Sequence, residues 1–284
     1  MGAELSRFAD RLSRNCHAAI AGLALALAGC TQPAQPQASP THEAPRVVSL
    51  NPCLDAIIVE IAAPEQILAL SHYSADRDSS SIAPDVAARF ETSGGTVEEI
   101  LALDPDLLLA STFIAPSTRN ALERLGVRMA TFDSPGTIAD SKDQIRQIGE
   151  LLGQELNGGR LVREIDQAWI ERDRPAINTL LWQPGQIVPG EATLVSEMLA
   201  RNGFVSHSKA QGLKQADYVS LEAVLANPPE LVLIAGSSRG QRHPLLRNLE
   251  STQVEALEPR LLYCGGRTIV DLQQRLDEIR ADMS

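Results

Sequence analysis

Residues 96–111, TVEEILALDPDLLLAS, align without a gap on residues 220–235, SLEAVLANPPELVLIA, and this internal repeat constrains the fold more than any other feature of the chain. Each copy opens with a hydroxyl residue suited to cap a helix, Thr96 or Ser220. Each continues through a short helical segment to a proline that ends it, Pro105 or Pro229, and closes on an apolar strand. An acid follows each cap at the same place, Glu98 in the first copy and Glu222 in the second. One supersecondary unit used twice predicts two lobes. The length agrees, because 284 residues is long for one core and natural for two.

The rest of the body fits that plan. Val47 to Leu50 reads as a strand broken by Asn51 and Pro52, and Leu54 to Ala63 has helical spacing. Ile67 to Leu70, Leu107 to Ala110 and Val127 to Thr131 are short apolar runs separated by helix-length segments, the pattern of a parallel sheet covered on both faces. Between Ile138 and Arg174 apolar residues recur at helical intervals among many charges, which predicts one long connecting helix weakened at Gly158 and Gly159. Strand-like runs resume at Ile177 to Trp182, Leu231 to Ala235 and Leu261 to Tyr263, with a helix over Leu194 to Asn202. The expected fold is α/β: two Rossmann-like lobes, residues 46–137 and 175–284, joined by a long helix over 138–174, with a ligand cleft between them.

Ahead of the body stand Arg7, Arg11 and Arg14, then an apolar run from Ala18 to Ala28, too short to span a bilayer and suited to a secretory signal. It ends in Leu27-Ala28-Gly29-Cys30, which looks like a bacterial lipobox. Residues 1–29 are therefore expected to be a lipoprotein signal, with Cys30 as the lipidated residue because its thiol is the nucleophile. Residues 30–45, rich in Pro, Gln, Ala, Ser and Thr, read as a tether that buries no core. The chain carries a net charge of −11, which makes nucleic acid an improbable partner.

From Arg46 to about Ile279 the chain resembles the periplasmic cobalamin and iron-siderophore binding proteins of ABC importers. The likeness rests on the opening RVVSLNP, on the two glutamate helices each followed by a proline and a strand, and on GEATLVSEMLARNGF entering the second lobe. The resemblance implies a non-enzymatic, monomeric, envelope-located binding protein. It would capture a metal chelate, a cobalamin-like corrinoid or a ferric siderophore, and deliver it to a permease dimer with its ATPase subunits. It also implies that Glu98 and Glu222 dock on that permease, where two acids on separate lobes make a bivalent, electrostatically steered contact. The plainer reading of either glutamate is a favourable interaction with its helix dipole.

In open α/β sheets the ligand site lies beyond the carboxyl ends of the strands. That rule selects Asn51 to Cys53, His72 and Tyr73, Trp182, and the loop Tyr263, Cys264, Gly265, Gly266 and Arg267. The resemblance further places Tyr73 and the Tyr263–Arg267 loop at corrin-contacting positions. Arg239 and Arg242, flanking Gly240, are candidates for a carboxylate or phosphate on the ligand. Tyr73 and Trp182 could equally be packing aromatics, and the two arginines solvated loop residues.

Cys53 and Cys264 stand one in each lobe, and three fates are open to them. They could pair, which across the cleft would restrain opening; one could ligate the chelated metal; or both could be small packed thiols. A bare zinc or manganese binder is the first rival function. Of the five histidines, His17 and His42 precede the body, and His72, His207 and His243 show no paired spacing. An enzyme is the second rival, but no phosphate loop, nucleophile elbow or zinc protease motif is present.

Overall fold

The computed structural model describes residues 44–77, 79–170 and 173–283, so the signal segment, Cys30 and most of the tether lie outside the described residues. The N-terminal lobe runs β1 (Val47–Ser49), α1 (Pro52–Ile61), β2 (Ile67–Ser71), α2 (Pro84–Ala87), β3 (Thr92–Ser93), α3 (Val97–Leu103), β4 (Leu107–Ser111), α4 (Pro116–Arg124) and β5 (Met129–Phe132). Its five strands are parallel in the order β3-β2-β1-β4-β5. Helices α5 (Ile138–Leu152) and α6 (Glu155–Ala168) lead to the second lobe. That lobe holds β6 (Ile177–Trp182), α7 (Leu194–Arg201), β7 (Phe204–Ser206), α8 (His207–Ala210), α9 (Leu221–Ala226), β8 (Leu231–Ile234), β9 (Gln253–Ala256) and α10 (Arg267–Asp282). Its sheet, also parallel, has the order β7-β6-β8-β9, which repeats the β2-β1-β4-β5 arrangement of the first.

The repeat is visible side chain by side chain. Leu107 and Leu109 of β4, with Leu231 and Leu233 of β8, face one large core that also takes in Ile145 of α5, Leu161 of α6 and Leu272 of α10. The alternate residues, Leu108 with Ile100 of α3 and Val232 with Val224 of α9, face two separate outer cores. This is the period-two alternation of strands covered on both faces. Its consequence is that the inner faces of both lobes share one continuous apolar core through α5, α6 and α10, which limits how far they move independently.

Helix ends follow from local chemistry. Thr96 accepts from the Glu99 backbone N–H while the Glu99 carboxylate reaches back to the Thr96 N–H, a capping box that starts α3. Ser220 caps α9 by accepting from the Ala223 N–H, and alanine at that place leaves the box half built.

Two expectations are corrected. The segment 138–174 is not one long helix. It turns at Gly153, whose φ of 65° supplies the left-handed cap, and α6 packs back along α5, with Lys142 paired to Asp166. Gly158 does not weaken a helix but lets two approach: a Cβ there would lie 3.3 Å from the Ile145 carbonyl oxygen. Leu261 to Tyr263 is not a strand either. Pro259–Leu261 forms a single helical turn, and one edge strand of that sheet is β9, whose mixed sequence QVEA hid it.

Candidate functional site

In both sheets the chain reverses its winding beside the first strand, between β1 and β4 and between β6 and β8, and each switch point opens a crevice. The N-lobe crevice is a cavity of about 550 Å³ at the carboxyl ends of all five strands, lined among others by Asn51, His72, Tyr73, Ser111 and Phe113. Asn51 is there because it caps α1, its side chain accepting from the N–H groups of Cys53 (2.9 Å) and Leu54 (3.2 Å). Ser71, the last residue of β2, caps the single turn His72–Ala75 by accepting from the Tyr73 N–H at 3.3 Å. His72 Nδ1 lies 3.3 Å from the Ser93 carbonyl oxygen. The His72 and Tyr73 rings sit with centroids 4.0 Å apart and Tyr73 is 49% exposed, so the turn presents two adjoining rings to the cavity.

Behind that turn is Asp55 of α1, which is completely buried. Its Oδ2 accepts from the Ser71 N–H (2.8 Å) and from the Ser74 hydroxyl (2.6 Å). Oδ1 has no hydrogen-bond partner among the described residues; the Ser49 hydroxyl, which donates to the Asn51 carbonyl oxygen, lies near enough to favour the ionised form. Burial pushes the carboxyl up to about 7, against the opposing effect of the Ser49 and Ser74 hydroxyls and the Ser71 N–H.

The C-lobe crevice, about 980 Å³, lies beyond β8 and β9 and along α10. Its chemistry differs. Arg260 pairs with Glu258 (2.6 Å) and Asp271 (3.5 Å), and Arg275 pairs with Glu255 (2.9 Å) and Glu278 (3.3 Å). Tyr263, 40% exposed, stands at its edge. Gln241 closes the loop after β8 from inside, its amide donating to the carbonyls of Trp182 and Gln183.

Between the two crevices, Cys53 and Cys264 form a disulfide with a Cα–Cα distance of 4.9 Å, the first of the three fates open to them. The segment from Glu258 to Gly266 is thereby strapped to the N-lobe. The Ser81 hydroxyl donates to the Arg260 carbonyl (2.7 Å) and the Gly266 N–H to the Ser141 hydroxyl (2.9 Å). Gly266 has a φ of +67°, and a Cβ there would meet Ile57 of α1 at 3.2 Å.

The remaining residues expected at the site divide clearly. Trp182 does not reach a crevice: it is fully buried in the outer core of the C-lobe, its Nε1 donating to the Val219 carbonyl, because its position in β6 faces away from the shared core. Cys264, Gly265 and Gly266 form the buried end of the strap, the two glycines against Ser141 and Ile57. Arg267 is exposed but turns to Glu164 (2.7 Å) and Asp271 (3.4 Å). Arg239 and Arg242 are exposed and line neither crevice. His207 is buried with its ring against Asn178 Oδ1, and His243 caps the turn at Leu245, so these two histidines serve local structure. Glu98 and Glu222 are exposed in the first turns of α3 and α9. Glu222 is held below the ordinary carboxyl range, first by its own backbone N–H and then by the Ser220 hydroxyl. Sequence reading missed Asp55, Phe113, Arg260 and Arg275. The one signal among them was an acid, Asp55, inside the otherwise apolar start of α1.

A model of the family described as periplasmic binding protein matches residues 47–258. No curated protein sequence matches the chain. Among solved structures it is similar to the periplasmic heme-binding protein RhuT from Roseiflexus sp. RS-1 in apo form, at 22% identity over 82% of this chain and 98% of that one, with a TM-score of 0.64. It is similar to the periplasmic heme-binding protein HutB of Vibrio cholerae, at 19% identity over 82% and 98% with a TM-score of 0.64. It is also similar to the periplasmic vitamin B12 binding protein BtuF of Vibrio cholerae, at 22% identity over 82% and 95% with a TM-score of 0.60. At these identities the likeness is one of fold.

Proposed function

This chain belongs to the periplasmic binding protein family, a family of binding proteins rather than enzymes, and on that premise we propose that it is the substrate-binding component of an ABC importer for a metal chelate, a metallo-tetrapyrrole in first place. The observation that carries this reading is the His72–Tyr73 pair, two adjoining rings at the mouth of the N-lobe crevice, with a second exposed tyrosine, Tyr263, on the strap at the other crevice. Flat apolar faces beside a few polar groups suit a large, planar, partly polar ligand. The similar structures are described as binding heme or vitamin B12, which supports the same ligand class. Arg260 and Arg275, each already balanced by carboxylates, give the C-lobe crevice polar groups for the ligand's periphery.

Glu98 and Glu222 are the permease-docking acids in this reading. They stand at matching places in the repeat, one on each lobe, exposed and at helix starts. Cys30, lipidated, holds the protein at the outer face of a membrane through the tether, and the ATPase subunits of the importer supply the energy.

Titration of the purified protein with haem, cobalamin, cobinamide and a ferric hydroxamate, followed by absorbance and calorimetry, tests the cargo. A tetrapyrrole is expected to bind with sub-micromolar affinity and the Tyr73→Ala variant to weaken it by about tenfold or more. Hydroxamate binding alone replaces the tetrapyrrole with a siderophore; binding of none of the four ends the chelate reading. Reversing both acids, Glu98→Lys with Glu222→Lys, should abolish uptake and leave ligand affinity unchanged, whereas lost affinity would remove them from the docking role.

A further inference from the structure

The first turn of α1 reaches Tyr73 and Tyr263 at one remove. Asn51, its cap, lines the N-lobe crevice. Cys53 is bonded to Cys264, the neighbour of Tyr263. Asp55 takes hydrogen bonds from Ser71 and Ser74, the residues on either side of His72 and Tyr73. At 3.6 residues per turn, positions two apart project to nearly opposite sides of a helix, so the strap and the His72–Ala75 turn lie on different flanks of the same turn of α1.

We propose that Cys53 and Asp55 are positioning residues of the cargo site, one holding the Tyr263 strap and the other the His72–Tyr73 turn, so that a single helical turn sets the spacing of the aromatic groups contributed by the two crevices. The proposal rests on the reading that Tyr73 and Tyr263 meet the cargo. Three features support it. Both hydrogen bonds accepted by Oδ2 of the buried Asp55 come from this turn, from the Ser71 N–H and the Ser74 hydroxyl. The strap meets α1 a second time, where Gly266 lies against Ile57, one turn beyond Cys53. Finally, α1 is seated in the core shared by both lobes, Leu54, Ile57, Ile58 and Ile61 all being buried in it, which makes its first turn a fixed reference. A site built on a rigid element in this way loses less freedom when the ligand arrives.

Hydrogen–deuterium exchange on the ligand-free protein reads the two holds separately. Asp55→Ala should speed exchange of residues 71–75 by about tenfold or more, and leave residues 258–266 as in the wild type. Asp55→Asn, whose amide oxygen can accept both hydrogen bonds, should restore slow exchange. The paired Cys53→Ser and Cys264→Ser variant should do the reverse, loosening 258–266 while 71–75 stay protected. Affinity for whichever of haem or cobalamin the wild type binds should fall by about tenfold in Asp55→Ala and in the cysteine variant, and be kept in Asp55→Asn. Faster exchange spread evenly over both lobes, no response in either turn, or a failure of Asp55→Asn to rescue would overturn the proposal. If the wild type binds none of the chelates, the cargo reading fails by itself, and the exchange pattern still decides whether these residues hold the turns.

Discussion

The two crevices share a topology and differ in how they are held. In the N-lobe the ring-bearing turn hangs from a buried carboxylate by two hydrogen bonds, with no ion pair among the described residues. In the C-lobe the polar groups are partly exposed arginines, each shared between two carboxylates. The repeat therefore fixes where a site forms without fixing what it is made of. Strand order places both crevices at switch points, whereas the loops that leave the strands supply the chemistry independently in each lobe.

The strongest way to break this comparison is to remove what joins the halves. Replacing Cys53 and Cys264 by serine should cost about 2–5 kcal/mol of stability, read as a lower urea midpoint, because the bond closes a loop of 211 residues. An unchanged midpoint would mean that the shared core alone unites the lobes. The outer cores come next. Ile100→Ala should destabilise by about 2–5 kcal/mol, and Val224→Ala, at the matching place in the repeat, by about half as much, because a smaller side chain leaves a smaller cavity. Equal costs would show that the two outer faces pack differently around the repeat.

A third test separates the two kinds of polar support by pH. The folded-state pKa of Asp55, about 7, lies above its unfolded value of about 4, so its favourable contribution is complete below about pH 4 and is lost as pH rises through about 7. Wild-type stability should thus decline, relative to Asp55→Asn, between about pH 4 and about pH 7; parallel profiles would show that Asp55 ionises normally. The smallest effect belongs to the C-lobe. Arg275→Gln should change stability by less than about 1 kcal/mol, and the difference should shrink further in high salt, because its pairs are partly exposed. A larger, salt-independent loss would make that network as structural as the Asp55 bracket.

Much of the fold was legible before any coordinates. The apolar runs at 47–50, 67–70, 107–110, 177–182 and 231–235 all became strands, because buried parallel strands are continuous apolar stretches. Three edge strands escaped for the opposite reason: β9, with Gln253 and Glu255, β3, with two residues, and β7, with three, carry no such run, whereas the edge strand β5 was announced by Val127 to Thr131. Gly153 and Gly158 look alike as letters, and only packing showed that the first turns the chain while the second admits a neighbouring helix. Tyr73 stands just after β2, where the rule about strand ends put it; Tyr263 was selected by the same rule from a run at 261–263 that is a helical turn, and Trp182 obeyed the rule and went inward, since which face its ring takes depends on the cover over β6.

What the sequence determined by itself was everything that local patterning encodes: two α/β lobes, the repeat with Glu98 and Glu222 in equivalent turns, and the strand-end loops where a site was expected. What the tertiary structure alone decided was pairing over long distances. Cys53 meets Cys264, Asp55 meets Ser71 and Ser74, and the inner faces of both sheets merge into one core. Hydrophobic period and capping chemistry act within a few residues and leave their mark in the order of letters. Partners brought together by packing share no such mark, because their proximity is a property of the whole folded core rather than of either segment.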